Sequence, residues 1–276
     1  MKINFVRHLA QRPVPTRLGC FVAALLTLWL PVAAPIYILE KDTNLASILT
    51  LVLLYAEFIF LLRLWAKYIY NQRQVLQHYG LETTRQNGVD LLWGFAIGTI
   101  SVLLLFGLEG VLGCLVWQQP QSYNFFHRII LEGLIVGLAI GFAEELLFRG
   151  WLLDELQRDY NRFTALWVDA VTFATLHFIK PLEAIIHTLP QFPALVLLGL
   201  TQVWGRRWRR GRLGLPIGLH SGLVWGYYII NVGELVRYSG KVPDWVVGVN
   251  HNPLQGLMGL VFLSCLAFWV KKRGLG

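Results

Sequence analysis

Apolar residues along this chain come in long runs, not in the short amphipathic periods of a water-soluble protein. Eight runs stand out, at 18–39, 45–65, 89–117, 125–149, 163–179, 188–205, 214–232 and 254–270. Each is near the roughly 20 residues an α-helix needs to cross a bilayer. The third is long enough to tilt or to extend beyond it. Of the polar stretches between them, 66–88 is mixed and predicts surface helix. The stretch 151–160 predicts an amphipathic prolongation of the fourth run, lying on the cytoplasmic interface. Residues 233–253, with their Gly, Pro and Asn, predict an irregular loop. The pattern predicts an all-α, polytopic membrane protein of about eight transmembrane helices, a single membrane domain over residues 1–276.

Composition agrees. The chain has 276 residues, 55% hydrophobic and only 14% charged, with mean hydropathy +0.53. A soluble domain carries about 25% charged residues, so this one cannot cover a water-facing surface. The 11 Trp and 10 Tyr suit belts at the membrane edges. Cys20, Cys114 and Cys265 each sit in an apolar run, without metal-ligand or disulfide spacing.

The net charge of +8 raises the question of nucleic acid, and its distribution answers it. Lys2, Arg7, Arg12 and Arg17 precede the first run, and further basic groups fall at 63–88, 149–162, 206–212 and 271–273. These alternate connections hold all the Lys and Arg except Lys41, Arg128, Lys180, Arg237 and Lys241. The positive-inside rule puts such connections, and both termini, in the cytoplasm. An even number of spans demands the same. The first run exceeds the 7–15 residues of a signal-peptide core and predicts an uncleaved span. The Arg206–Arg212 cluster reads as a topology anchor or a site for anionic headgroups. The partners expected are membrane lipids, with no nucleic acid.

Against this apolar background, Gly141-Phe-Ala-Glu-Glu-Leu-Leu-Phe-Arg149 is conspicuous. A carboxylate at the centre of a span costs at least about 2.5–3.5 kcal/mol on insertion scales, and here two are adjacent. Glu145 and Arg149 share a helical face and can pair. Glu144 lies about 100° away, on the face of Gly133, Gly137 and Gly141, pointing inward without a partner. Two further polar sites occur in apolar runs. In Phe173-Ala-Thr-Leu-His177, Phe173 and His177 are one turn apart, and Asp169 is two turns before His177. Asp169 reads as a supporting residue that orients a neighbour. In Gly218-Leu-His220-Ser-Gly222, glycines recur at 214, 218, 222 and 226, opposite His220. That ridge can press on one helix while His220 faces another space.

Glu144, His177 and His220 on three helices make two chemistries plausible. The carboxylate can take a proton from water while an imidazole steadies the oxyanion. Alternatively, the three can hold a zinc ion that activates water, although the compact His-Glu-x-x-His signature is missing. A proton-relay transporter would also place Glu and His in the membrane. On straight helices the three residues differ in depth, so convergence requires tilt, a helix beginning inside the membrane, or a funnel open to the cytoplasm.

Three motifs in order, over 125–232, resemble the CPBP family of type II CAAX prenyl endopeptidases, bacteriocin-processing and self-immunity proteins, and proteins labelled abortive-infection. Glu-Glu-x-x-x-Arg is matched at Glu144, Glu145 and Arg149, and Phe-x-x-x-His at Phe173 and His177. His-x-x-x-Asn/Asp is matched at His220 only, because Val224 takes the last position. The resemblance implies an intramembrane endopeptidase that hydrolyses a peptide bond in a membrane-associated substrate, such as one with a lipid-modified C-terminus. It implies Glu144 as general base with His177, His220 at the oxyanion, and Glu145, Arg149 and Phe173 in support. It implies no cofactor, with zinc as the alternative. Val224 supplies no hydrogen bond, and losing one oxyanion donor costs about 10²–10³ in rate. Ser221, Trp225 and Asn231 are the nearby donors in sequence. Reduced activity, or a noncatalytic immunity or partner-binding scaffold, is therefore the alternative.

Overall fold

A computed structural model describes residues 8–274; Lys2 and Arg7 lie outside them. The chain divides into two compact units, residues 1–78 and 79–276.

The first unit is a helical hairpin. Helix α1 (Val14–Leu39) packs on α2 (Thr43–Ile69). The three-residue connection leaves the two helices no choice but to neighbour each other. Asp42 closes the turn by accepting from the backbone N–H groups of Asn44 and Leu45, an N-cap that satisfies otherwise orphaned donors. Inside the pair, Phe21 meets Trp65 edge-on at 5.2 Å, and Trp29 Nε1 donates to the Thr50 carbonyl at 2.9 Å.

The second unit holds α3 (Arg85–Val111), β1 (Leu115–Trp117), α4 (Tyr123–Glu145), a π-helical segment (Leu146–Leu152), α5 (Leu153–Asp159) and α6 (Arg162–Leu176). It continues with α7 (Leu182–Thr188), α8 (Phe192–Trp208), α9 (Gly214–Val232), β2 (Val236–Tyr238) and α10 (Leu257–Gly274). Helix α9 lies between α3 and α4, and α8 packs on α6 and α10. The glycine ridge of α9 does what its spacing predicts. A Cβ on Gly218 or Gly222 would overlap the backbone carbonyl of Leu91 or Phe95 on α3. Gly94 and Gly98 of α3 answer from the other side, against Leu215 and Leu219. Small residues let the two backbones touch, which is how helices associate where lipid removes the hydrophobic drive.

Among the described residues, four helical stretches are long and apolar enough to cross a membrane: Val14–Leu39, Thr43–Ile69, Arg85–Val111 and Leu182–Trp208. The other four predicted spans coincide with α4, α6, α9 and α10. Helix α6 is the shortest of these at 15 residues, about 22 Å of rise.

Three expectations change. The third span ends at Val111, not 117: Gly113 turns the chain with φ +72°, and 115–117 becomes a strand. The 233–253 loop is not wholly irregular, because 236–238 pairs antiparallel with that strand, Leu115 opposite Tyr238. Backbone groups leaving the helices find partners this way. Residues 66–88 are helical to Ile69, over Val75–His78 and again from Arg85, where α3 begins.

Side-chain and backbone contacts define two ends for the second unit. At the basic end, Gly214 N–H meets Asn87 Oδ1, Arg212 meets Asp90, Arg207 donates to the Arg162 carbonyl, and Lys271 sits over Trp204. At the far end are the two strands, Gln121 with Glu234, and Asn252 with Gln191. The Arg206–Arg212 cluster is largely consumed internally. Arg212 and Arg209 flank the buried Asp90 at 2.7 and 3.3 Å, and Arg206 donates to the carbonyls of Gly211 and Arg149. These contacts make the cluster an intramolecular anchor and leave few of its guanidinium groups for headgroups.

Candidate active site

Glu144 and Glu145 are the last residues of α4. The π-helical segment that follows holds an extra residue per turn, a local irregularity that recurs at functional sites. It carries Arg149 to Glu145, with Nη1 at 3.2 Å from Oε1. Arg149 Nη2 donates to the Gly199 carbonyl on α8 at 3.3 Å. Its Nε lies 3.6 Å from Asp169 Oδ2, an ionic approach beyond hydrogen-bond reach. The guanidinium stacks 4.3 Å from the Phe173 ring. Glu145, Arg149 and Asp169 are fully buried. The charges that the apolar runs made improbable are held by neutralising one another.

Glu145 has a second partner that its helical phase did not reveal: His220 Nδ1, at 2.8 Å from the same Oε1. The phase argument also needs correcting. It is Glu145, not Glu144, that continues the buried line Gly133, Gly137, Gly141. Those glycines admit α9, where Ser221 would collide with a Cβ on Gly141.

Glu144 is 29% exposed at its side chain. Its Oε2 is 3.7 Å from His220 Nε2 and 3.9 Å from His177 Nε2, and it makes no hydrogen bond. His177 caps the C-terminus of α6. Its Nδ1 meets the Phe173 carbonyl at 2.8 Å, which makes Nδ1 the protonated nitrogen because a carbonyl only accepts. Both imidazoles are thus held through Nδ1 and turn Nε2 toward one carboxylate oxygen. Gaps of 3.7–3.9 Å are too wide for direct bonds and suit an intervening water. Phe173 separates the two regions, with Arg149 on one side and His177 at 4.6 Å between ring centroids.

The three residues line a cavity of about 360 Å³. Its other walls are mostly apolar, including Leu105, Leu195, Leu198, Leu223 and Leu263. Its lining reaches the far end of the unit. Gln191, Tyr227 and Asn252–Leu254 belong to the far end and line it, while the Glu145–Arg149–Asp169 cluster and Arg206 fill the space toward the basic end.

Val224 lines the cavity, so the departure from the motif faces the site. None of the substitute donors named from sequence replaces it. Trp225 Nε1 donates to the Ile130 carbonyl at 2.9 Å, Asn231 lines a separate pocket with Arg237, and Ser221 Oγ lies against Gly141. Gln191 and Asn252 are cavity residues the sequence reading missed. They meet each other at 3.2 Å across 61 positions, and no local spacing announces such a pair. Among the described residues, no group of three or more His, Cys, Asp or Glu is disposed to hold a metal ion.

The matching stretch of the sequence carries the whole Glu144–His177–His220 arrangement: residues 126–226 match the family model described as type II CAAX prenyl endopeptidase Rce1-like. This stretch is similar to the Rce1-like family. Neither the curated proteins nor the solved structures compared with the chain gave a match. The Rce1-like match covers both glutamates, Arg149, Phe173, both histidines and Val224, and leaves Tyr227, Asn252 and α10 outside. It names a protease family, whose substrate is a peptide or protein in the membrane.

Proposed function

We propose that the protein is an intramembrane endopeptidase in which Glu144 and two imidazoles activate water. One observation carries the reading: Glu144 Oε2, without a hydrogen bond, lies 3.7 and 3.9 Å from two Nε2 atoms at a cavity wall. A water in that gap can donate to Glu144 and to His177 Nε2, and Glu144 takes its proton as it attacks a substrate carbonyl. The Phe173 carbonyl keeps His177 in the tautomer whose Nε2 accepts. Glu145 accepts from His220 Nδ1 and aims its Nε2; in the protonated form of His220, that Nε2–H serves the oxyanion. The proton on Glu144 then passes to the leaving amine. Arg149 and Asp169 act at one remove, through Glu145 and Phe173.

The chain would cross the membrane eight times with both termini in the cytoplasm. The basic end is then cytoplasmic, and the cavity leads from the site toward the opposite face. A membrane-associated segment reaching the cavity from that side is the substrate, and a lipid-modified C-terminus suits its apolar walls. Termini in membrane fractions from cells carrying the parent or Glu144→Ala test this. Termini present only with the parent are expected; identical sets would refute it.

Two observations sustain other readings. Val224 puts an apolar side chain where the motif supplies a donor, which favours a noncatalytic scaffold. Such a scaffold would bind its partner equally well after Glu144→Ala. Zinc would take both Nε2 atoms, each with Nδ1 anchored, with Glu144 as third ligand and a polarised water as the chemistry supplied, although these three residues as placed among the described residues are not disposed to hold the ion. Chelation would silence that enzyme and leave the glutamate enzyme active.

A further inference from the structure

Beyond Glu144, His177 and His220, the polar side chains lining the cavity are Ser101, Gln191, Tyr227 and Asn252. Three of them are occupied. Ser101 Oγ donates to the Ile97 carbonyl at 2.7 Å, and Tyr227 OH donates to the His251 carbonyl at 3.3 Å. Asn252 Oδ1 accepts from Leu254 N at 3.0 Å, while its Nδ2 donates to Gln191 Oε1 at 3.2 Å.

Gln191 is the exception. Its Oε1 is held by Asn252, which fixes the amide so that Nε2 is the free end. Among the described residues Nε2 has no hydrogen-bond partner, and the residue is only 9% exposed. Nε2 is not among the buried unpartnered atoms, so this donor opens onto the cavity that Gln191 lines, and it is pinned there by a residue from the loop before α10. It stands at the start of α8, on the far-end side of the site, where Tyr227 and Asn252–Leu254 also line the cavity. A chain laid from the water gap toward that end passes it. The groups such a chain presents to a lone donor are backbone carbonyls, while Leu195, Leu198 and Leu263 take its apolar side chains.

We propose that Gln191, oriented by Asn252, is a substrate-binding donor that hydrogen-bonds a backbone carbonyl of the bound peptide and sets its register over Glu144. The inference rests on the protease reading above. It assigns a polar contact to a cavity whose motif donor is missing at Val224. The contact is made to the peptide, not to the oxyanion, so its removal is expected in KM and not in kcat.

The test uses full-length protein in liposomes and an internally quenched peptide with a farnesylated CAAX terminus. Gln191→Leu removes the donor and the tie to Asn252. Gln191→Glu keeps the shape and the acceptor for Asn252, and removes only the donor in its ionised form. Both variants should raise KM about 3–10-fold, the worth of one hydrogen bond, with the loss confined to KM. Gln191→Glu is decisive if the leucine variant misfolds. A Gln191→Glu protein with the parent's KM, or a loss that falls on kcat, would reduce the pair to a structural tie and overturn the proposal. A parent that leaves the peptide intact would overturn the protease reading as well, so the two failures are distinguishable.

Discussion

Glu145 shares one oxygen between Arg149 at 3.2 Å and His220 at 2.8 Å and is sealed from solvent. One residue earlier, Glu144 has 29% of its side chain exposed, and the nearest imidazole nitrogens stand off at 3.7 and 3.9 Å. A step of about 100° around the helix therefore separates a carboxylate held by fixed partners from one left open to a small molecule. The comparison teaches a division of labour. Charges that hold the helices together cannot also move protons, because their lone pairs are committed. The reactive group must be left unsatisfied beside them, and the buried cluster supplies the rigidity that keeps it so. Phe173 and the π-helical turn are the physical boundary between the two regions.

The comparison can be broken from the structural side first. Arg149→Met leaves Glu145 and Asp169 buried without a cation. Removing one partner of a buried ion pair costs about 3–5 kcal/mol. The protein should lose that much in reversible unfolding in detergent micelles, and activity should fall further than the folded fraction alone, because Glu145 then holds His220 without Arg149. An unchanged unfolding midpoint would mean the cluster is not what holds α4, α6 and α8 together. A smaller effect is expected at Gly218, whose added Cβ would overlap the Leu91 carbonyl. Gly218→Ala should cost about 1–3 kcal/mol, as overpacking does, and should shift α9 against α3. Because α9 carries His220, cleavage should suffer more than the stability loss alone explains, whereas loss matching the unfolded fraction would separate the ridge from the site.

Much of this was legible in sequence for a physical reason. Isolated charges in an apolar run are rare enough to be read one by one, and a glycine every fourth residue can only be a close helical contact. Glu144, His177, His220 and the ridge from Gly214 to Gly226 were found that way. What escaped depends on partners distant in sequence. The Arg206–Arg212 cluster looks like a free basic patch until Asp90, more than 110 positions earlier, is seen between Arg209 and Arg212. The joint role of Glu145 required His220, 75 positions on. The direction of the cavity depended on where Gln191 and Asn252 meet. The π-helical segment is invisible because Leu146–Leu152 continues the same apolar run. The end of the third helix was missed because Leu115–Trp117 is as apolar as the helix before it.

The most direct test compares cleavage of the quenched peptide by the parent and by Glu144→Gln, with thermal unfolding recorded on the same preparations. Glutamine keeps the shape of Glu144 and cannot take a proton from water. General-base catalysis contributes about 10²–10⁴-fold. The account predicts a loss of that size with an unchanged melting temperature. Cleavage by Glu144→Gln at the parent's rate, or a loss accompanied by an equal loss of folded protein, would contradict it.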